Sequence, residues 1–146
     1  MMKNLNLPRF VLAVVLIYLA MWAMAVLLHQ MIFPDVAKQL SGLMREGFAG
    51  SAFFYWQLVG YLVLVVFFAL IFTYGYEGRG LAEGVRYGIL MGVLLGAADF
   101  VWMIGFPVSL GDAFLFFLTD VIMWTVAGII LAIVYRPSGD AEESTT

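Results

Sequence analysis

The sequence predicts an all-α membrane protein, with four transmembrane helices in an antiparallel bundle and a short amphipathic segment in the first loop. Hydrophobic residues make up 64% of the 146 positions and charged residues only 12%, whereas soluble domains are about half apolar and about a quarter charged. The apolar residues fall into four runs, and each reaches the roughly 20 residues that a helix needs to cross a bilayer. We therefore expect one transmembrane domain over residues 1–137 and a polar tail over 138–146.

Each predicted span lies between residues that break helices. The spans are residues 10–33, 53–76, 83–106 and 113–135. Pro34, Pro107 and Pro137 follow the first, third and fourth spans, and a group of glycines at 75, 78 and 80 ends the second. The first apolar run is longer than the apolar region of a signal peptide, so we expect it to be retained as a span.

The charges between the spans predict how the chain is oriented. Five Lys and Arg residues lie on the side of the two termini and the second loop: Lys3, Arg9, Arg79, Arg86 and Arg136. Only Lys38 and Arg45 lie in the first loop. Because Lys and Arg are enriched in cytoplasmic segments, both termini are expected in the cytoplasm.

The first loop carries a weak helical pattern. Val36, Leu40, Leu43 and Met44 recur at helical spacing, and the charged residues mostly fall off that face. A short helix lying on the membrane surface would give this pattern. A plain polar connection is the alternative, and the sequence leaves both open.

A stripe of four glycines marks the third span. Gly84, Gly88, Gly92 and Gly96 are four residues apart, so each lies about 40° round the helix from the one before. Asp99 falls inside the same stripe and is therefore expected to point into protein. Small residues let helix backbones approach closely in lipid, which favours a helix-packing face. A groove for a lipid tail, a quinone or a substrate is the other interpretation.

Polar residues inside the spans form a candidate ligand or proton site, which consists of Asp99, Asp120, His29 and Gln57. Asp120 lies near the middle of the fourth span, and the others lie in the outer half of theirs. Intramembrane carboxyl groups serve as hydrogen-bonded contacts between helices or as proton and cation sites, and both interpretations stay open. We expect both acids to point toward one outer-half cavity that His29 or Gln57 also lines.

The second loop is a turn of alternating charge, formed by Glu77, Arg79, Glu83 and Arg86. Glu83 and Arg86 are three residues apart, a spacing that permits an ion pair on one helix face. The turn is interpreted either as a charged hairpin that fixes the topology or as a docking site for a partner or a lipid headgroup.

The composition also argues against several classes of function. The chain has no cysteine and one histidine, which excludes disulfides, thiolate metal sites and multi-histidine centres. It has no basic cluster for nucleic acid, no phosphate-binding loop and no set of residues for nucleophilic catalysis. We therefore expect no enzymatic activity, no catalytic residue, no metal and no cofactor.

Two segments carry a resemblance to a known group of proteins. They are YEGRGLAEGVRYGILMG, residues 76–92, and AGIILAIVYRP, residues 127–137. The chain resembles small bacterial four-helix membrane proteins of the DUF1761 type, in which a Tyr-Glu-Gly-Arg/Lys-Gly turn leads into a glycine-striped third helix. The resemblance implies a bacterial inner-membrane protein, and it carries over no activity and no catalytic residue.

Two functions are compatible with these features. The first is association, as an oligomer or as an accessory subunit of a membrane complex, which the small size and the glycine stripe favour. The second is a small transporter or a lipid- or quinone-binding protein that uses Asp99 and Asp120. The expected partners are the lipid bilayer and further copies of the chain or other membrane subunits, and not nucleic acid.

Overall fold

The computed structural model describes residues 5–31, 34–43 and 46–135, and this part of the chain is all helical. The helices are α1 (Leu7–Met31), α2 (Pro34–Ser41), α3 (Ala52–Tyr74), α4 (Leu81–Met103) and α5 (Leu110–Val134). All but α2 are long and apolar enough to cross a membrane. The predicted all-α class with four membrane-length helices is thus confirmed.

The four long helices begin one to three residues before the predicted spans, and at α3 and α5 a serine N-cap sets the start. The Ser51 hydroxyl accepts a hydrogen bond from the backbone N–H of Phe54 at 3.4 Å, and α3 begins there. Ser109 does the same for the N–H of Asp112 at 3.0 Å, at the start of α5. Serine is a preferred N-cap because its oxygen satisfies a backbone donor that has no partner within the helix.

The first loop contains a helix, α2, which resolves the alternative left open by the sequence. Val36 is buried, Leu40 is half-buried and Leu43 is exposed, so only the first part of the predicted apolar face is covered. Met44 lies outside the described residues. Asp35 and Lys38 form an exposed ion pair of 3.8 Å on the polar side of α2.

The packing is centred on α5, which contacts both α4 and α1, while α3 lies against α1. The largest fully buried side chains come from three helices: Phe68, Ile17, Met21, Leu131 and Val65. Large apolar side chains on the outside, such as Leu90, Leu94 and Val101, remain exposed. An apolar surface of this kind is what a bilayer would cover.

Side-chain contacts join α1 to α3 and to the end of α5. Tyr18 of α1 donates a hydrogen bond to the carbonyl of Leu58, and one turn later Trp22 contacts Phe54. At the other end of α1, Tyr135 after α5 hydrogen-bonds the backbone of Asn6. The start of α3 therefore lies beside the middle of α1, and the end of α5 lies near the start of α1.

Candidate functional site

The four glycines of the stripe pack against α5, and we call this contact the glycine seam. All four are buried. A Cβ atom on Gly88 would lie 2.6 Å from the Cα of Thr125 and 2.6 Å from the carbonyl oxygen of Trp124. A Cβ on Gly92 would lie 2.8 Å from the Cα of Val121. These neighbours are backbone atoms, so no flexible side chain can move aside, and α4 and α5 touch backbone to backbone.

The seam also shows which way the two helices run. Gly84 faces Gly128 and Ala132 near the end of α5, whereas Gly96 faces Phe117 and Asp120 nearer its start. The helices are therefore antiparallel to each other. Because α5 fills the stripe along its length, these glycines leave no room for a lipid tail or a quinone between the two helices.

Asp99 and Asp120 come together at the end of the seam. A Cβ on Gly96 would lie 3.1 Å from the Cβ of Asp120, and the carboxyl groups of Asp120 and Asp99 are close enough to hydrogen-bond. Asp120 is half-buried, but Asp99 is exposed, so the expectation that Asp99 points fully into protein is wrong. Asp99 lies within the angular range of the glycine stripe, but about one turn beyond Gly96, the last glycine of the stripe that packs against α5.

Tyr61 of α3 lies near the two carboxyl groups, and it was not among the site residues predicted from the sequence. Its hydroxyl lies within electrostatic range of both Asp120 and Asp99, and its ring packs 5.9 Å from that of Tyr18, measured between centroids. The signal that could have found Tyr61 is its position four residues after Gln57, on the same face of α3.

Gln57 lies at a groove between α1 and α3 rather than beside the acids. This groove has a volume of about 710 Å³, and its walls include Trp22, Gln57, Gly60 and Tyr61. Tyr61 is therefore shared by the groove and the carboxyl pair. Of the four predicted site residues, the structure brings Asp99 and Asp120 together and places Gln57 one turn from Tyr61. The side chain of His29 is outside the described part of the chain.

The charged turn between α3 and α4 is held by Glu83. Its buried carboxylate accepts hydrogen bonds from the backbone N–H groups of Glu77 at 2.6 Å and Arg79 at 2.9 Å. Gly78 and Gly80 have positive φ angles of 74° and 64°, a conformation that glycine adopts readily. The turn that they form presents its N–H groups to Glu83.

Arg86 pairs with Glu77 and not with Glu83, so the ion pair that the spacing permits is not the one that forms. Arg86 Nη2 lies 3.0 Å and Arg79 Nε 2.9 Å from the same oxygen of Glu77. The hydrogen bond from Arg86, and then the charge of Arg79, lower the pKa of Glu77 below its usual range. The two oxygens of Glu83 instead accept N–H groups of the turn.

No family model, no curated protein and no solved structure matches the chain. The resemblance of residues 76–92 and 127–137 to the DUF1761-type proteins therefore stays a prediction. What the protein does has to be inferred from the seam, the carboxyl pair, the two sides of α3 and the charged turn.

Proposed function

We propose that the protein is an antiparallel four-helix bundle of the bacterial inner membrane that works by association, as an oligomer or an accessory subunit of a membrane complex. The observation that carries the proposal is the exposed carboxyl of Asp99 within a membrane-length helix. A carboxyl group is unfavourable against hydrocarbon and normally faces protein or water. A further protein surface over Asp99 would remove it from lipid.

The position of the glycine seam limits where on α4 the interface can lie. Since α5 covers the glycines, a partner has to bind α4 beyond Gly96, toward the end of the helix. Trp102 lies three residues after Asp99, on the same side of the helix, and its side chain is 72% exposed. Tryptophan is enriched at protein interfaces, and polar side chains hydrogen-bond across helices in membranes. We call Asp99 and Trp102 together the Asp99 face.

The test uses the natural absence of cysteine. A single cysteine at Trp102, introduced as Trp102→Cys, should form oxidative cross-links between copies in native membranes if the chain is an oligomer. Leu90→Cys is the matched control, because Leu90 is also on α4 and 67% exposed, but about 120° away round the helix. Adding Asp99→Leu to Trp102→Cys should abolish the cross-link, and Asp99→Asn should retain it.

An accessory subunit would give a different result in the same membranes. Native mass spectrometry of the wild-type protein would then show a complex with a second kind of chain, which Asp99→Leu releases and Asp99→Asn retains. A wild-type protein that is monomeric in lipid nanodiscs, with no cross-link at Trp102→Cys and no second chain, would overturn association through the Asp99 face.

The proposed orientation, with both termini in the cytoplasm, is supported by the five-to-two distribution of Lys and Arg between the two sides. A reporter that is active only in the cytoplasm should work when fused to the C-terminus. Activity of a periplasmic reporter at that position would reverse the orientation.

The second candidate is a small transporter or a lipid- or quinone-binding protein that uses Asp99 and Asp120. The specific observation in its favour is Tyr61, which adjoins both the carboxyl pair and the groove of about 710 Å³ between α1 and α3. Two neighbouring carboxyl groups can hold a proton or a cation between them. The groove is of the size of ordinary ligand pockets.

Proton flux into proteoliposomes separates the two functions. Under an imposed membrane potential, a transporter should acidify the vesicle lumen, and Asp120→Asn, which keeps the shape and removes the charge, should stop the flux without unfolding the protein. Wild-type vesicles that acidify no faster than empty ones would count against proton transport.

A further inference from the structure

A second groove lies between α3 and α4, next to the charged turn. Its volume is about 620 Å³. The two helices meet at Tyr87, whose hydroxyl donates a hydrogen bond of 2.5 Å to the carbonyl of Phe68 and whose ring contacts those of Phe68 and Phe72. Beside this contact the helices leave the groove open on the side away from α5.

The walls of the groove are apolar, whereas its mouth is charged. Ile71 of α3 and Ile89, Leu90 and Val93 of α4 form apolar walls. The mouth is formed by Glu77 and Arg86, at the membrane-surface end of both helices. Arg86 and Val93 are seven residues apart, about 10 Å along the helix, and one leaflet contributes roughly 15 Å of hydrocarbon. The groove thus extends through much of one leaflet.

Glu77 and Arg86 are the exposed charges that line the groove; Glu83 also lines it but is buried, and Arg79 binds the same Glu77 oxygen as Arg86. Glu77 and Arg86 are both exposed and paired at 3.0 Å, while Glu83 is occupied by the N–H groups of the turn. Recognition of anionic lipids usually relies on clusters of Lys and Arg, which this mouth does not resemble. An exposed ion pair is held weakly, so its partners can exchange with other charged groups at little cost.

This arrangement complements a zwitterionic headgroup. A guanidinium binds phosphate through two parallel hydrogen bonds, which suits Arg86. A primary ammonium has three N–H groups, which can donate hydrogen bonds to a carboxylate such as that of Glu77. A quaternary choline group has no N–H donor, so the mouth should distinguish ethanolamine from choline lipids.

We propose that this groove binds one ethanolamine-headed phospholipid from the leaflet that adjoins the charged turn. The phosphate lies against Arg86, the ammonium against Glu77, and one acyl chain lies along Ile71, Ile89 and Val93. The inference requires only that the helices span the membrane. It is independent of the Asp99 face and of which side of the membrane the turn occupies.

The test is a competition between two lipids that differ only in the headgroup. Delipidated protein in detergent is mixed with equal amounts of phosphatidylethanolamine and phosphatidylcholine with identical chains, and the bound lipid is identified by native mass spectrometry. A charge-assisted hydrogen bond to Glu77 should favour the ethanolamine lipid by about tenfold. Equal binding, or a higher affinity for phosphatidylglycerol in a parallel competition, would overturn the proposal.

Variants test the two parts of the site separately. Glu77→Gln should remove the preference for ethanolamine while lipid remains bound, and Arg86→Gln should reduce binding of both lipids. Val93→Trp should block the groove, whereas Leu94→Trp should not, because Leu94 is adjacent in sequence but lies outside the groove. Circular dichroism checks that each variant is folded. Binding to folded Val93→Trp at the wild-type level would place the lipid elsewhere.

Discussion

α4 and α5 meet backbone to backbone, whereas α3 meets its neighbours through rings. In the glycine seam a Cβ on Gly88 would fall 2.6 Å from the Cα of Thr125. Around α3, the ring of Phe68 lies 4.8 Å from those of Tyr87 and Trp124, measured between centroids. The size of the interface residues therefore determines where space remains, and a groove lies on each of two sides of α3.

The α4–α5 contact and the surroundings of α3 have different roles in the fold. Without a hydrophobic force between helices in lipid, tight packing supplies much of the stability, and glycines provide it without loss of side-chain freedom. The α4–α5 pair therefore forms the rigid part of the fold. The flanks of α3 retain room for a lipid or a ligand, because bulky rings keep the backbones apart.

The largest expected effect is that of a side chain placed in the seam. Gly88→Leu should destabilise the protein by about 3 kcal/mol, since the new side chain meets backbone atoms of α5 that cannot move aside. Unfolding in a titration with denaturing detergent measures the loss.

Gly60→Leu on α3 is the matched control for the seam. A Cβ on Gly60 meets nothing within 4 Å, and its larger replacement would only fill part of the groove between α1 and α3. Equal destabilisation by the two substitutions would show that the seam is not the rigid contact of the fold.

The next effect concerns the turn that connects the two regions. Glu83→Ala leaves the N–H groups of Glu77 and Arg79 without their acceptor, and should cost about 2 kcal/mol. Glu77→Gln, on the exposed side of the same turn, should change the stability much less. Thermal unfolding in detergent compares the two, and a larger loss for Glu77→Gln would mean that the ion pairs, not Glu83, hold the turn.

The sequence predicts the tight region better than the open one. Residues four apart share a helix face, so the spacing from Gly84 to Gly96 was enough to predict a packing face. It could not indicate that α5 fills this face, because glycine specifies a close approach and not a partner. The four membrane-length helices were predicted because hydropathy and length alone decide them.

The details of the candidate site could not be predicted from the sequence, for physical reasons. The partners of Glu83 are backbone N–H groups, which every residue except proline carries and which therefore leave no pattern in the sequence. The proximity of Tyr61 to the acids depends on how α3 is rotated, and a helix that is apolar on all sides does not reveal its rotation. The exposure of Asp99 depends on how far along α4 the contact with α5 extends beyond Gly96.

A smaller effect is expected from the hydrogen bond that Tyr87 of α4 donates to α3. Tyr87→Phe removes the bond to the carbonyl of Phe68 but keeps the ring contacts with Phe68 and Phe72. Interhelical hydrogen bonds in membranes contribute about 0.6 kcal/mol on average, and the loss should be of this order. Tyr55→Phe, at an exposed position of α3, is the control. A loss as large as that of Gly88→Leu would contradict the distinction between the two regions.

The smallest effect is the pH dependence of the exposed side of the turn. Hydrogen bonding to Arg86 and the charge of Arg79 lower the pKa of Glu77 in the folded protein. A lowered pKa means that folding favours the ionised form, so its stabilising contribution is complete above the usual pKa of glutamate, about 4.3. The contribution is lost as the pH falls through the folded-state pKa.

Because Glu77 is exposed, salt should weaken this stabilising contribution as well. We expect the melting temperature of the wild type to exceed that of Glu77→Gln slightly at pH 7, and the difference to decrease as the pH falls below the usual pKa of glutamate or as the salt concentration rises. In the background of Arg86→Gln the same comparison should give a smaller difference. A difference that is unchanged by pH and salt would indicate that the shape of Glu77, and not its charge, stabilises the turn.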